Sequence, residues 1–190
     1  MKRISKTVRN WVAAAAVLLA CPALLSGQNY SISTNAAEWL ALGTANIQAG
    51  VPVSRHVSIQ SEAAYNPFTY GSGDRRKYFR RMEFSAGARY WPWFVNSGWF
   101  LDGYADWAKF SWGGLFTKKS YEGYAYGMKL GGGYALMLDK GINLEMGWGG
   151  FLGIEKYTRY SCTKCGHSEG KKQKFVVSPT ALLLGISFIF

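Results

Sequence analysis

The sequence predicts an all-β protein: an eight-stranded antiparallel up-and-down transmembrane β-barrel. Three observations carry that reading. The last segment, residues 175–190, places Leu182, Leu184, Ile186, Phe188 and Phe190 at every second position, so one strand face is wholly apolar. Strand-like segments recur along the chain, joined alternately by short turns and by long basic loops. Between residues 28 and 190 no run approaches the roughly 18 apolar residues of a spanning helix. If the chain crosses a bilayer it must do so as a closed barrel, because any other form leaves backbone groups unpaired in hydrocarbon.

Residues 1–27 read as a secretory signal ahead of one barrel domain, residues 28–190. Lys2, Arg3, Lys6 and Arg9 form a positive start, and Trp11 to Ala20 an apolar stretch too short to span. Cys21-Pro22-Ala23 and Ser26-Gly27 offer small residues for ordinary cleavage. Leu18-Leu19-Ala20-Cys21 also reads as a lipobox, which would make Cys21 a lipid anchor. Removing the segment takes away four positive charges and lowers the formal charge from +11 to +7. A basic balance can signal nucleic acid. The secretory signal argues against that and points to an anionic glycolipid surface.

The elements follow in order. The first strand is expected over about 30–42, ending at Gly43-Thr44-Ala45-Asn46. The second covers about 47–53 and meets a turn at 54–56. The third covers about 57–68, before a polar loop at 69–79. The fourth, about 80–91, closes in a turn at 94–97. The fifth, about 99–110, leads into a loop at 111–121. The sixth, about 123–138, ends at Asp139-Lys140-Gly141. The seventh, about 142–157, opens into the longest loop, 158–173, and the terminal strand follows. In an outer-membrane barrel the short turns face the periplasm, with both termini, and the long loops face outward. The Gly43–Asn46 connection is unusually short for an outer loop.

Sidedness agrees. Met82, Phe84, Ala86, Ala88 and Tyr90 alternate with Arg81, Glu83, Ser85, Gly87 and Arg89. Ile142, Leu144, Met146 and Trp148 alternate with Asn143, Glu145 and Gly147. The polar faces are poor in lysine and rich in glycine and small residues. That suits a narrow, filled lumen better than a solvated exterior. Aromatics near strand ends, among them Trp39, Trp91, Trp93, Trp99, Trp107 and Phe188, read as interfacial girdles or as core residues.

Several segments together carry a resemblance: Tyr65-Asn66-Pro67-Phe68, Ala88-Arg89-Tyr90-Trp91, Glu122-Gly123-Tyr124-Ala125-Tyr126-Gly127, Ile142-Asn143-Leu144-Glu145, Cys162-Thr163-Lys164-Cys165-Gly166 and Ser178-Pro179-Thr180. The chain resembles the uncharacterised eight-stranded outer-membrane barrels of Bacteroides-type bacteria, a domain of unknown function. The resemblance implies a fold and a location but no substrate. Members are similar to accessory proteins encoded near fimbria-like surface assemblies, which implies adhesion or assembly.

Three groups of residues offer chemistry. Cys162 and Cys165 lie in a loop beside His167. They suit a local disulfide in an oxidising compartment, or part of a metal site that lacks a full ligand set, or a redox pair without the usual helix N-terminus. The lumen charges Arg81, Arg89 and Lys129 face Glu62, Glu83, Asp102, Asp106, Glu145 and Glu155. Enclosed charges must pair, so these form either a salt-bridged plug or an ion path. By strand counting, Arg89 should meet Asp102, and Asp106 should meet Lys129. The rim cations Arg75, Arg76, Lys77, Lys118, Lys119, Lys171 and Lys172 suit the anionic groups of lipopolysaccharide. A lipid A-modifying enzyme would need a serine beside a histidine, and only His56 and His167 are available. No cofactor is expected. The expected role is structural or interactive: a surface adhesin or an accessory subunit of an envelope assembly.

Overall fold

The computed structural model describes residues 30–40, 43–70, 77–114, 119–161, 168–179 and 182–190. Its strands are β1 (Ser31–Asn35), β2 (Ala45–Pro52), β3 (Val57–Asn66), β4 (Thr69–Tyr70), β5 (Lys77–Tyr90), β6 (Gly98–Gly113), β7 (Ser120–Asp139), β8 (Ile142–Tyr160), β9 (Ser168–Pro179) and β10 (Leu183–Ile189). One short helix, α1 (Ala36–Leu40), follows β1. No helix among the described residues is long and apolar enough to cross a membrane. Every strand pairs antiparallel with its neighbours. β4 is a two-residue extension that pairs with β5. β9 and β10 are successive parts of one strand, both paired with β8. β10 also pairs with β1, and this closes an eight-stranded barrel.

Closure joins the two ends of the described chain. Tyr30 and Phe190 exchange backbone hydrogen bonds of 3.1 and 2.9 Å. They lie at the rim that also carries the short turns, 53–56, 91–97 and 140–141. Asn96 (φ 65°) gives the second of these turns its left-handed bend.

The molecule is inside-out relative to a soluble domain. Leu101, Trp99 and Trp148 are 62, 62 and 77 % exposed, whereas Glu83, Arg89 and Glu145 are 2–3 % exposed. Met82, Phe84 and Tyr90 face out while Glu83, Ser85 and Arg89 face in, as the alternation predicts. Trp91 departs from the girdle reading. It follows Arg89 on the inner face and is fully buried against Phe100 and Ala135. Its indole N–H donates to Ser58 Oγ at 3.1 Å.

Four expectations about element bounds need correction. The first strand stops at Asn35, not near residue 42. Asn35 Oδ1 accepts the backbone N–H of Ala37 and of Leu184, each at 3.1 Å. It thus caps the helix and replaces the next rung of the β1–β10 ladder. Gly43, at φ +71° and against the Phe68 ring, turns the chain back. Second, the connection between β1 and β2 includes α1, and Ala45 and Asn46 belong to β2. Third, the strands run into both ends of the expected long loops. β8 reaches Tyr160 and β9 begins at Ser168, while β6 reaches Gly113 and β7 begins at Ser120. Aromatic pairs extend these strands: Trp112 stacks on Tyr121 at 4.4 Å, and Tyr121 meets Tyr157 edge-on at 5.7 Å. Fourth, the terminal strand is described in two parts, β9 to Pro179 and β10 from Leu183, and their registers on β8 differ by one residue: Pro179 pairs with Gly150 and Leu183 with Gly147. The outward positions accordingly move from Phe175 and Val177 to Leu184 and Ile186.

The narrow lumen leaves little room at Gly87. A Cβ there would press on the Gly103 carbonyl oxygen and lie 2.6 Å from Tyr104 Cα, whereas at Gly150 the nearest atom is 3.6 Å away. We expect Gly87→Val to cost about 1–3 kcal/mol in urea unfolding of the refolded barrel. Gly150→Ala should leave the midpoint unchanged.

Candidate functional site

The inner faces of β3, β5, β6, β7 and β8 bring the lumen charges together in two clusters. The first is centred on Arg89, from β5. Its Nη1 lies 2.7 Å from Glu145 Oε2, on β8, and its Nη2 lies 3.4 Å from Asp102 Oδ2, on β6. Arg89 and Asp102 are direct cross-strand partners. Nη2 also reaches Tyr104 Oη at 3.5 Å, and Tyr104 Oη accepts from Gln48 Nε2 at 2.8 Å. The guanidinium lies 4.0 Å from the centre of the Phe100 ring and 5.5 Å from that of Trp91. Two carboxylates and two aromatic faces thus replace its water.

The second cluster is centred on Lys129, from β7. Its Nζ pairs with Glu83, lies 3.3 Å from Asp106 Oδ1 and 3.8 Å from Glu62 Oε2, and donates to Ser85 Oγ at 3.1 Å. Ser85 in turn donates to Asp106 at 2.8 Å. Arg81 adds a further ion pair to Glu83 from the same strand. Glu155 stands apart from both clusters. It faces Lys174 across the β8–β9 ladder. The network thus spans fewer of the expected acids, but it gains Tyr104, Gln48 and Ser85, which charge counting alone did not single out.

The lumen is layered. At the turn-side rim Trp91, Phe100 and Ala135 fill it, with Ser58, Asn143 and Ser187 each at most 1 % exposed. Asn143 Nδ2 holds the Asn96 carbonyl at 2.6 Å and ties the wall to the turn. The Arg89 and Lys129 clusters come next. Beyond them lie Ala108, Ala125, Phe151 and Phe110. A cavity of about 410 Å³ occupies the layers above the Trp91 plug, with Lys129, Arg89, Phe110 and Phe151 in its wall.

The other anticipated groups fall elsewhere. His56 Nδ1 lies 3.1 Å from the Trp91 carbonyl oxygen, and the ring stacks on Phe94. Lys77, Lys171 and Lys172 are exposed on strands, and Lys119 lies 3.7 Å from Glu169. Arg75, Arg76, Lys118, Cys21, Cys162, Cys165 and His167 lie outside the described residues, as does all of the signal segment. The disulfide, metal and lipobox readings therefore rest on the sequence. Among the described residues no cluster of histidine, cysteine and carboxylates could hold a metal ion.

With the barrel and its lumen in view, the chain can be placed among known proteins. A family model described as a protein of unknown function, DUF3575, matches residues 13–190. The chain belongs to the DUF3575 family. The match takes in every described strand, so the closed barrel and its charged lumen all lie within the DUF3575 domain. A comparison with curated proteins found no match.

The geometry ranks the substitutions. Arg89 has a side chain only 3 % exposed, with two carboxylates depending on it. Arg89→Ala should cost about 3–5 kcal/mol in urea unfolding, because it strands buried charge. Arg89→Met with Glu145→Gln should recover much of that loss. Lys119→Ala, at a half-exposed pair, should change stability by less than about 1 kcal/mol.

Proposed function

We propose that this chain is an outer-membrane β-barrel with a structural or interaction role, a surface adhesin or an accessory subunit of an envelope assembly, with no open pore. One observation carries the reading: the outer face is an apolar band while the charges are inside. In water such a band would far exceed the few hundred Å² of apolar patch that a soluble monomer shows. In a bilayer it is the expected surface. The turns and both ends of the described chain would then face the periplasm. Aromatics flank the band: Trp99 and Tyr134 near the turn rim, and Phe84, Trp107 and Tyr124 towards the other. The buried plug at Trp91 and Phe100 supports a closed lumen.

The strands continue beyond the band. Residues 168–174 of β9 are exposed throughout and include Lys171, Lys172 and Lys174. A projecting basic sheet of this kind suits contact with an acidic partner at the cell surface.

Lipopolysaccharide is the proposed lipid partner, and the outward wall adds cations to those expected at the rim. Lys109 and Lys156 flank Tyr124 in direct cross-strand register, all three facing out. Lys109 Nζ lies 5.7 Å from the centre of the Tyr124 ring. They sit just past the apolar positions Trp107 and Ile154, where lipid phosphates meet the acyl region.

Two measurements test these readings. The folded protein should fractionate with outer membranes, and boiling should change its gel mobility. In planar bilayers it should show no steady conductance. A soluble, boiling-insensitive protein would end the membrane reading, and a stable open channel would end the plug. Separately, Lys109→Ala with Lys156→Ala should reduce co-purified lipopolysaccharide several-fold while leaving heat-modifiability intact.

A further inference from the structure

Among the described residues, the strand ladder of the wall is shorter on one side, beyond the β1–β10 joint. β1 ends at Asn35, so beyond that point β9 has β8 as its only strand partner among the described residues. α1 stands where the continuation of β1 would lie, and it packs on β10 and β2. The helix is built into the sequence by the Asn35 cap and the Gly43 turn. Asn46 helps to hold the arrangement. Its side chain accepts the Asn35 N–H at 2.6 Å and donates to the Asn35 carbonyl at 2.9 Å. Among the described residues, a seam therefore lies between β9 and α1.

The lumen cavity reaches that seam. Val176, Ser178 and Pro179 of β9 line it on one side, and Asn35 and Glu38 on the other. Leu40 and Leu182, 84 and 71 % exposed, stand at the same part of the wall. Its volume of about 410 Å³ falls in the range of small-molecule sites.

Its lining is divided. Ala108, Phe110, Ala125, Phe151 and Val176 give it apolar walls. The rest is ionic and unbalanced, with seven acidic side chains against three basic ones. The bases are already engaged with Glu62, Glu83, Asp102, Asp106 and Glu145. Glu38 makes no ion pair or side-chain hydrogen bond among the described residues, yet it lines the cavity. A chamber with apolar walls on one part and, on another, a carboxylate outside the ion pairs of the described residues suits an apolar chain that carries a cationic head.

We propose that the lumen cavity binds a small amphipathic amine, with its ammonium head on Glu38 and its chain against Phe110 and Phe151. The seam gives such a molecule access from the side. That access rests on the membrane reading above, whereas binding rests on the cavity.

Native mass spectrometry of the folded, detergent-solubilised protein with dodecylamine tests the site. Wild type should retain one dodecylamine per chain. Dodecanoate and dodecanol should be retained about tenfold less, the worth of one charge-assisted hydrogen bond. Glu38→Gln should lower dodecylamine retention by a similar factor. Ala125→Phe, which fills the chamber, should abolish it. Both variants are scored on protein whose gel mobility still shifts on boiling. If Glu38→Gln does not fold, Ala125→Phe and the three head groups decide. No adduct on folded wild type, equal retention of the three amphiphiles, or full retention by Ala125→Phe would each overturn the site. A protein that binds dodecylamine but fractionates as soluble would overturn the membrane reading and leave the site standing.

Discussion

Arg89 needs two carboxylates, and much of the barrel is arranged around that need. A guanidinium with almost no exposure costs several kcal/mol unless its charge and its donors are met. Glu145 and Asp102 meet the charge and the two terminal nitrogens from two other strands, so β5, β6 and β8 are locked to one register by a single side chain. Its flat faces rest near Phe100 and Trp91, which close the barrel on the turn side. Lys129 repeats the scheme one layer further in, with Glu83, Asp106 and Glu62. The usual order of protein architecture is reversed: polar contacts form the interior and apolar residues the surface. The dispersion and area terms that organise a soluble core act here mainly in the end layers.

The strand order, the sidedness and the Arg89–Asp102 and Asp106–Lys129 contacts were legible in the sequence. Period-two alternation is a strong signal when each strand has one apolar face, and antiparallel counting from a tight turn fixes depth. What could not be read has physical causes. The Arg89–Glu145 contact joins strands that are not neighbours, so turn counting does not reach it. β6 to β9 run past their apolar segments on aromatic stacking and ion pairs such as Arg159–Glu169, where no alternation remains to be seen. The stop at Asn35 depends on a hydrogen bond to Leu184, nearly the whole chain away. Asn35-Ala36-Ala37-Glu38 carries a cap and good helix formers, a local signal that the neighbouring Ser31 and Ser33 alternation obscured.

The inner wall also explains the glycines of β7 and β8. Gly127 and Gly153 are cross-strand partners, as are Gly133 and Gly147. Side chains there would strike the opposite backbone or the rings of Phe151 and Phe100. Inward rings as large as Phe100 and Phe151 fit because the inner positions beside them carry no side chain.

β1 is joined to β10 by five residue pairs and to β2 by three, whereas β6 and β7 share sixteen. A hoop is as strong as its clasp. Because β1 and β10 come from opposite ends of the described chain, that clasp has no hairpin turn to hold its two sides together. Amide hydrogens on Ser31–Asn35 and Leu183–Ile189 would accordingly exchange with solvent long before those of β6 and β7. The first motion of the wall would be a parting on the sides of β1 rather than a general loosening.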